Sequence, residues 1–220
     1  MSIKIAYQGR PGAYSHLACI KAFPNSIPVS CETFEEVFEK TQTNETNISL
    51  IPVENSQAGR VADIHNLLPK TSLVIVGEYF LKINHQLLSK KNTSFDNIKF
   101  ATSHFHALAQ CREFLQSHNI KPILGTDTAG SAEELSKGAK RDTAAIASSL
   151  AAEIYDLKII KKNIQDAYHN TTRFFIMKDS SEEKKIKNLD YITSFIFKIR
   201  NMPAALYKSL GGFASNKVNM

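Results

Sequence analysis

Short apolar runs alternate with helical segments along most of the chain, and this alternation limits the fold more tightly than any other feature. Residues 3–7 alternate as a strand, Gly9-Arg10-Pro11-Gly12 turns the chain, and Leu17, Ile20 and Phe23 then follow at helical spacing. The unit repeats as a strand over 29–31 with a helix from Thr33. It repeats again as a strand over 48–53, a polar loop, and a helix through Val61, Ile64, Leu67 and Leu68. Such alternation predicts an α/β fold with largely parallel sheets.

Residues 73–88 stay strand-like for longer than one strand needs, which suits a chain leaving one sheet and entering another. A lobe boundary is placed there, with one lobe over about 1–75 and a second over about 76–170. The second lobe repeats the alternation: a strand over 99–102 and a helix over 104–115, a strand over 121–125 and a helix over 128–136, then a strand over 144–147 and a helix ending near Tyr155. A last strand over 172–178 is assigned back to the first lobe. Residues 179–189, charged and poor in core side chains, are expected as a linker. Beyond them a strand over 191–199, a helix over 204–210 capped by Gly211-Gly212, and a new strand from Val218 are expected to begin another module.

With 43% apolar residues, a chain of 220 can bury a core. The net charge of +6 comes from scattered lysines, in small clusters such as Lys90-Lys91 and Lys161-Lys162, without a basic stripe interleaved with aromatics. Nucleic acid is therefore not expected as a partner, and a small anionic ligand suits the charge as well. No apolar run approaches the roughly 18 residues of a membrane span, so no membrane association and a cytoplasmic location are expected. Cys19, Cys31 and Cys111 are odd in number and widely spaced, which predicts reduced, buried thiols.

Chemistry concentrates in His169-Asn170-Thr171-Thr172-Arg173-Phe174, a polar run that leads directly into an apolar strand. An arginine at the start of a buried strand needs an anion, either a protein carboxylate or a ligand, and the ligand is the reading favoured here. Asn55, Ser56 and Gly59 form a second polar loop after a buried strand, equally readable as a pocket wall or a satisfied turn. Gly12 to Ser15, Ser103, Thr126 to Thr128 and Ser148-Ser149 each stand at a helix start. Any one of these is an ordinary N-cap, whereas their convergence would create an anion pocket. Neither a dinucleotide nor a P-loop glycine pattern occurs. His104 and His106 fall on different helix faces, so no metal is expected.

Taken together, Gly9-Arg10-Pro11-Gly12-Ala13-Tyr14-Ser15-His16, Pro52-Val53-Glu54-Asn55-Ser56, Ser103-His104 with Ala107-Leu108-Ala109-Gln110-Cys111, Ala144-Ala145-Ile146-Ala147-Ser148 and Asn170-Thr171-Thr172-Arg173-Phe174 occur in the order found in prephenate dehydratases. The chain resembles that family over its whole length. The resemblance implies a two-lobed catalytic domain over 1–178, similar to type 2 periplasmic binding proteins, with the active site in the cleft. It implies the start of an α+β ACT domain over 190–220, incomplete as the sequence stands, because Asn201-Met202-Pro203-Ala204-Ala205-Leu206 matches that module's effector loop with alanine for glycine at 204.

The implied reaction converts prephenate to phenylpyruvate, water and carbon dioxide for phenylalanine synthesis, without metal or organic cofactor. Thr172 and Arg173 become the catalytic candidates, the first for the leaving hydroxyl and the second for a substrate carboxylate. Asn55, Ser56, Ser103, Asn170, Thr171 and Phe174 become the substrate-binding candidates. Phenylalanine is the implied effector, and a homo-dimer or homo-tetramer the implied assembly. Arogenate dehydratase, or a non-catalytic two-lobed domain that binds a small carboxylate, are the alternatives.

Overall fold

The computed structural model describes residues 2–138, 141–179 and 192–219. The chain divides into two compact units, Met1–Lys184 and Lys185–Met220. In the first unit β1 (Lys4–Gln8), α1 (Tyr14–Ala22), β2 (Ile27–Cys31), α2 (Phe34–Gln42) and β3 (Ile48–Asn55) realise the expected strand-helix repeats. The short β4 (Gly59–Arg60) folds back on β3, and α3 (Ala62–Leu67) leads into β5 (Leu73–Lys82). Local chemistry agrees with these starts: Thr33 caps α2 by accepting the Glu36 amide at 3.2 Å.

The second series comprises β6 (Gln86–Ser89), β7 (Phe100–Ser103), α4 (Phe105–Ala109), α5 (Arg112–Ser117), β8 (Lys121–Leu124), α6 (Thr128–Lys137), β9 (Thr143–Ala147), α7 (Ser149–Ile154) and β10 (Lys158–Lys161). The chain then returns as β11 (Thr171–Asp179). One sheet has the order β2-β1-β3-β11-β5, with β4 attached to β3, and the other has the order β10-β6-β9-β7-β8. Each sheet carries its own apolar packing on its faces, Ile5, Tyr7, Leu50, Leu81 and Phe174 on one face of the first, Leu87, Ala101, Leu108 and Ile146 in the second.

The structure corrects three expectations. All of β5 belongs to the first sheet, so the chain crosses between lobes at 83–85 and not near residue 75. The sheets are mixed: β1, β2 and β3 run parallel, as do β7, β8 and β9, but β11 runs antiparallel to both β3 and β5, and β6 antiparallel to β9 and β10. The helix expected over 104–115 is two short helices, interrupted where Cys111 leaves helical geometry at φ −118° and ψ 22°.

The two crossovers between sheets, residues 83–85 and 162–170, run side by side. Ile83 donates its amide to the Asn170 carbonyl at 2.8 Å, Ile164 to the His85 carbonyl at 3.0 Å, and His85 to Gln165 Oε1 at 2.9 Å. This strapping places His85 and Asn170 at the seam between the lobes. The loop after β1 also reaches across, with the Gly12 carbonyl accepting from Ser148 Oγ at 2.6 Å and Arg10 paired to Glu133 at 2.7 Å. A side chain at Gly12 would meet Ala151 Cα at 2.9 Å, and its φ of +87° is one that glycine adopts without strain.

In the second unit α8 (Ala205–Ser215) runs through Gly211 and Gly212, which therefore do not cap it. No strand forms over 192–199 or at Val218 among the described residues, since a strand needs a ladder partner. The expected linker lies, apart from Asp179 at the end of β11, outside the described residues.

Candidate active site

The antiparallel pairing of β11 with β3 sets Thr172 directly opposite Asn55. Both lie at the mouth of the sheet, where β3 ends and β11 begins. Asn55 has its orientation forced by the backbone: its Oδ1 accepts the amides of Gln57 at 2.9 Å and Ala58 at 2.8 Å, and backbone amides can only donate. Its Nδ2 must then supply both remaining contacts, to Thr172 Oγ1 at 2.9 Å and Asn170 Oδ1 at 2.8 Å. With Asn170 Oδ1 occupied as an acceptor, Asn170 Nδ2 donates to Gln110 Oε1 at 2.8 Å.

Direction therefore runs one way along the whole set. Thr172 receives a hydrogen bond from Asn55, which leaves its own hydroxyl hydrogen as the donor for a ligand. Gln110 accepts through its oxygen, which leaves its NH2 to the cavity that it lines. That cavity, about 230 Å³, is walled by Gln57, Ala58, Gln110 and Asn170 together with His106, Ala109, Gln165, Asp166 and Ala167. Asn170 is almost wholly buried, so misdirecting its amide would leave polar groups unsatisfied.

Ser56 pins the start of β11. Its hydroxyl donates to the His169 carbonyl at 2.6 Å and accepts the Thr171 amide at 3.0 Å, and its own amide donates to the Thr171 carbonyl at 2.9 Å. Thr171 enters this arrangement through its backbone. These contacts hold Thr172 in register against Asn55.

Other candidates stand elsewhere. Alternation along β11 puts Arg173 on the face opposite Thr172, together with Phe175, whose ring centroid lies 5.2 Å from the guanidinium carbon. Arg173 is paired with Glu54 at 3.4 Å and, closely, with Glu78. The hydrogen bond that it donates to Glu78 in particular raises its pKa further above the usual arginine value. Its anions are thus protein carboxylates, not a ligand at the cleft. Ser103 is fully buried and donates to the Ile146 carbonyl at 2.6 Å, which ties β7 to β9 and leaves it apart from Asn55 and Thr172. Phe174 is buried in the core with Leu81 and Tyr7; like Asn55 and Thr172 it lines neither cavity, but unlike them it brings no polar group to the hydrogen-bonded set.

The expected convergence of helix starts is partial. Those of α1 and α6, with His104, line a larger cavity of about 700 Å³ that includes Arg10 and Asp127. Asp127 and Ser148 are spent as N-caps, on the Gly130 amide at 2.7 Å and the Ala151 amide at 3.0 Å. Gln110 entered the sequence analysis only as part of a family motif, with no site role assigned to it. Its one local signal is an amide at the end of an apolar helical turn, Ala107-Leu108-Ala109.

Residues 5–182 match the prephenate dehydratase domain model. A bifunctional N-acyl-homoserine lactone acylase/prephenate dehydratase from Komagataeibacter europaeus is 40% identical over 216 residues, which cover 98% of this chain and 77% of that protein. An arogenate dehydratase/prephenate dehydratase from Arabidopsis thaliana, chloroplastic, is 40% identical over 220 residues, covering 99% of this chain and 55% of that one. The chain thus spans little more than half the length of its plant relative. In three dimensions the prephenate dehydratase of Arthrobacter aurescens, solved with L-Phe, superposes with a TM-score of 0.83 at 24% identity over 97% of this chain and 72% of that one. With the family model matched over residues 5–182 and a relative 40% identical over most of both chains, this chain belongs to the prephenate dehydratase family.

Proposed function

We propose that this chain is a cytoplasmic lyase that dehydrates and decarboxylates prephenate to phenylpyruvate in phenylalanine synthesis. One observation carries the reading: the forced direction of the Asn55 amide, which leaves the Thr172 hydroxyl as a hydrogen-bond donor at the mouth of β11.

In the reaction the bond from the ring to its carboxylate breaks, its electron pair completes the aromatic ring, and the ring C–O bond breaks on the other side. Carbon dioxide leaves, and the departing oxygen takes one proton from the medium to become water. Aromatisation drives the step, so the protein needs to position, to neutralise and to donate. Thr172 hydrogen-bonds the departing oxygen. As an alcohol it is too weak an acid to supply the proton alone, and it relays one from a bound water. The Gln110 NH2 is placed to meet a substrate carboxylate. Asn55 and Asn170 hold these two donors, and Ser56 holds Thr171 and the start of the strand. Arg173 acts through the sheet: with Glu54 and Glu78 it ties β3, β11 and β5 together beneath Thr172.

Arogenate, with an amino group where prephenate has a keto group, presents the same departing oxygen and ring carboxylate to these residues, and the plant relative carries both names. Phenylalanine as an effector of the segment around Ala204, within an ACT-type module, and a homo-oligomeric assembly complete the proposal. The Arthrobacter aurescens protein solved with L-Phe supports the first of these. Purified protein offered prephenate and arogenate separately, with phenylpyruvate and phenylalanine measured as products, tests the reading. Turnover of either substrate supports a dehydratase and identifies its preference, whereas folded protein that binds but converts neither would point to a carboxylate sensor.

A further inference from the structure

The directed hydrogen bonds do not stop at Gln110. Its Oε1, which accepts from Asn170, also lies 2.8 Å from His85 Nε2. His85 Nδ1 in turn lies 2.7 Å from the Tyr14 hydroxyl, which has the Asn84 carbonyl as a second neighbour at 3.2 Å. We propose that Tyr14 and His85 are positioning residues that lock the Gln110 amide in one orientation, by holding His85 in its Nε2–H tautomer.

The polarity follows from the far end of the network. Two backbone amides fix Asn55, Asn55 fixes Asn170, and Asn170 requires an oxygen from Gln110. A histidine nitrogen facing that same oxygen must carry a hydrogen. His85 is only 3% exposed, and burial lowers its pKa from the ordinary histidine value, so the ring is neutral with a single N–H. With that hydrogen on Nε2, Nδ1 is an acceptor and needs a donor. Tyr14 supplies it: burial raises its pKa well above the usual phenol value and keeps the hydroxyl protonated, and its one hydrogen goes to Nδ1 at 2.7 Å in preference to the Asn84 carbonyl at 3.2 Å.

The other tautomer would set the lone pair of Nε2 against Gln110 Oε1. Relief would require rotating the amide, which would turn its NH2 on the NH2 of Asn170 and present an oxygen to the cavity. An oxygen facing an anionic substrate repels it where an NH2 binds it. The tyrosine hydroxyl, on the far side of His85 from Gln110, thus determines the sign of the group offered to the substrate. The part concerning the substrate rests on the dehydratase reading, while the tautomer stands on the geometry alone.

The two can be tested apart. In the full chain with 15N-labelled histidine, the His85 ring signals are assigned by their loss in His85→Gln. The Nε2–H tautomer is expected in wild type, with a second tautomer emerging in Tyr14→Phe; an Nδ1–H ring in wild type would overturn the proposal whether or not the protein has activity. In kinetics, His85→Leu should raise KM for the substrate by about tenfold, because a misdirected donor weakens ground and transition states alike. His85→Gln, which restores an N–H near the place of Nε2, should bring KM back to within about twofold of wild type. A variant that merely folded less well would lose turnover with KM unchanged, and that result in His85→Leu, or equal losses in the two variants, would contradict the lock. Wild-type protein inactive on prephenate and arogenate would instead sink the function, leaving the tautomer measurement to stand or fall separately.

Discussion

Asn55 Nδ2 stands 2.9 Å from Thr172 Oγ1, and the two residues face each other as direct ladder partners of β3 and β11. Replacing the amide by a carboxylate reverses this contact. In Asn55→Asp the Thr172 hydroxyl donates to the new carboxylate and is withdrawn from the substrate, while the introduced oxygen repels Asn170 Oδ1. We expect kcat to fall by about 100-fold or more, the usual cost of losing one preorganised donor. Unchanged turnover in folded protein would remove Asn55 from the site.

Ser56→Ala removes the hydroxyl that joins the His169 carbonyl and the Thr171 amide. Because the residue is exposed, water replaces part of the loss, and the expected cost is about 1 kcal/mol. Thermal unfolding should shift down by about 2–4 °C. The effect on kcat should exceed what this small destabilisation explains, because Thr172 follows directly in the strand.

Arg173 belongs to a three-strand clamp, and a double-mutant cycle measures it. Arg173→Gln combined with Glu78→Gln should give a coupling of about 1 kcal/mol in urea unfolding, with less for Glu54→Gln, whose carboxylate is more distant and half exposed. Coupling near zero to both would mean that the arginine's charge is balanced elsewhere.

Acid should destabilise the first unit. Burial lowers the pKa of His16 and of His85, so the unfolded chain binds protons more readily than the folded one. Stability is then fully present above the unfolded histidine value near about 6.5 and is lost as pH falls toward the lower folded values. His16 has a structural reason to resist protonation, since its Nδ1 accepts the Gly12 amide at 3.0 Å while its ring stacks on Tyr7. Urea midpoints measured from pH 7.5 to 5 should fall, and the fall should be shallower in His85→Gln.

Ala204 precedes α8 at a φ of 60°, in the left-handed region that costs an alanine about 1 kcal/mol or more. Ala204→Gly should relieve that strain. Amide protection in α8 should rise by about fivefold, as a difference of 1 kcal/mol implies, with the first unit unaffected.

Much of this arrangement was legible before the structure. Periodicity located most strands and helices, because each depends on residues near in sequence. Polar residues ahead of an apolar strand marked Asn170, Thr171 and Thr172, and the loop after β3 marked Asn55 and Ser56. What stayed hidden was long-range. The register of β11 on β3 joins residues 117 apart, and no local pattern reveals it. β10 escaped notice because Ile159 and Ile160 give too short an apolar run between lysines. Gln110 was named within a family motif but given no role, because a lone amide in an apolar turn is ordinary until a buried partner is seen. Arg173 is a different matter: strand alternation already opposes it to Thr172, and only the pull of a charged ligand made the cleft look like its partner.

The most direct test lies in the single hydrogen of Thr172. Prephenate turnover should be compared in wild type, Thr172→Ser and Thr172→Val, the last keeping the shape of threonine without its hydroxyl. Thr172→Val should lose about 100-fold or more in kcat with its fold intact, and Thr172→Ser should keep at least about a tenth of wild-type turnover. Near-native turnover by Thr172→Val would contradict the role assigned to Thr172.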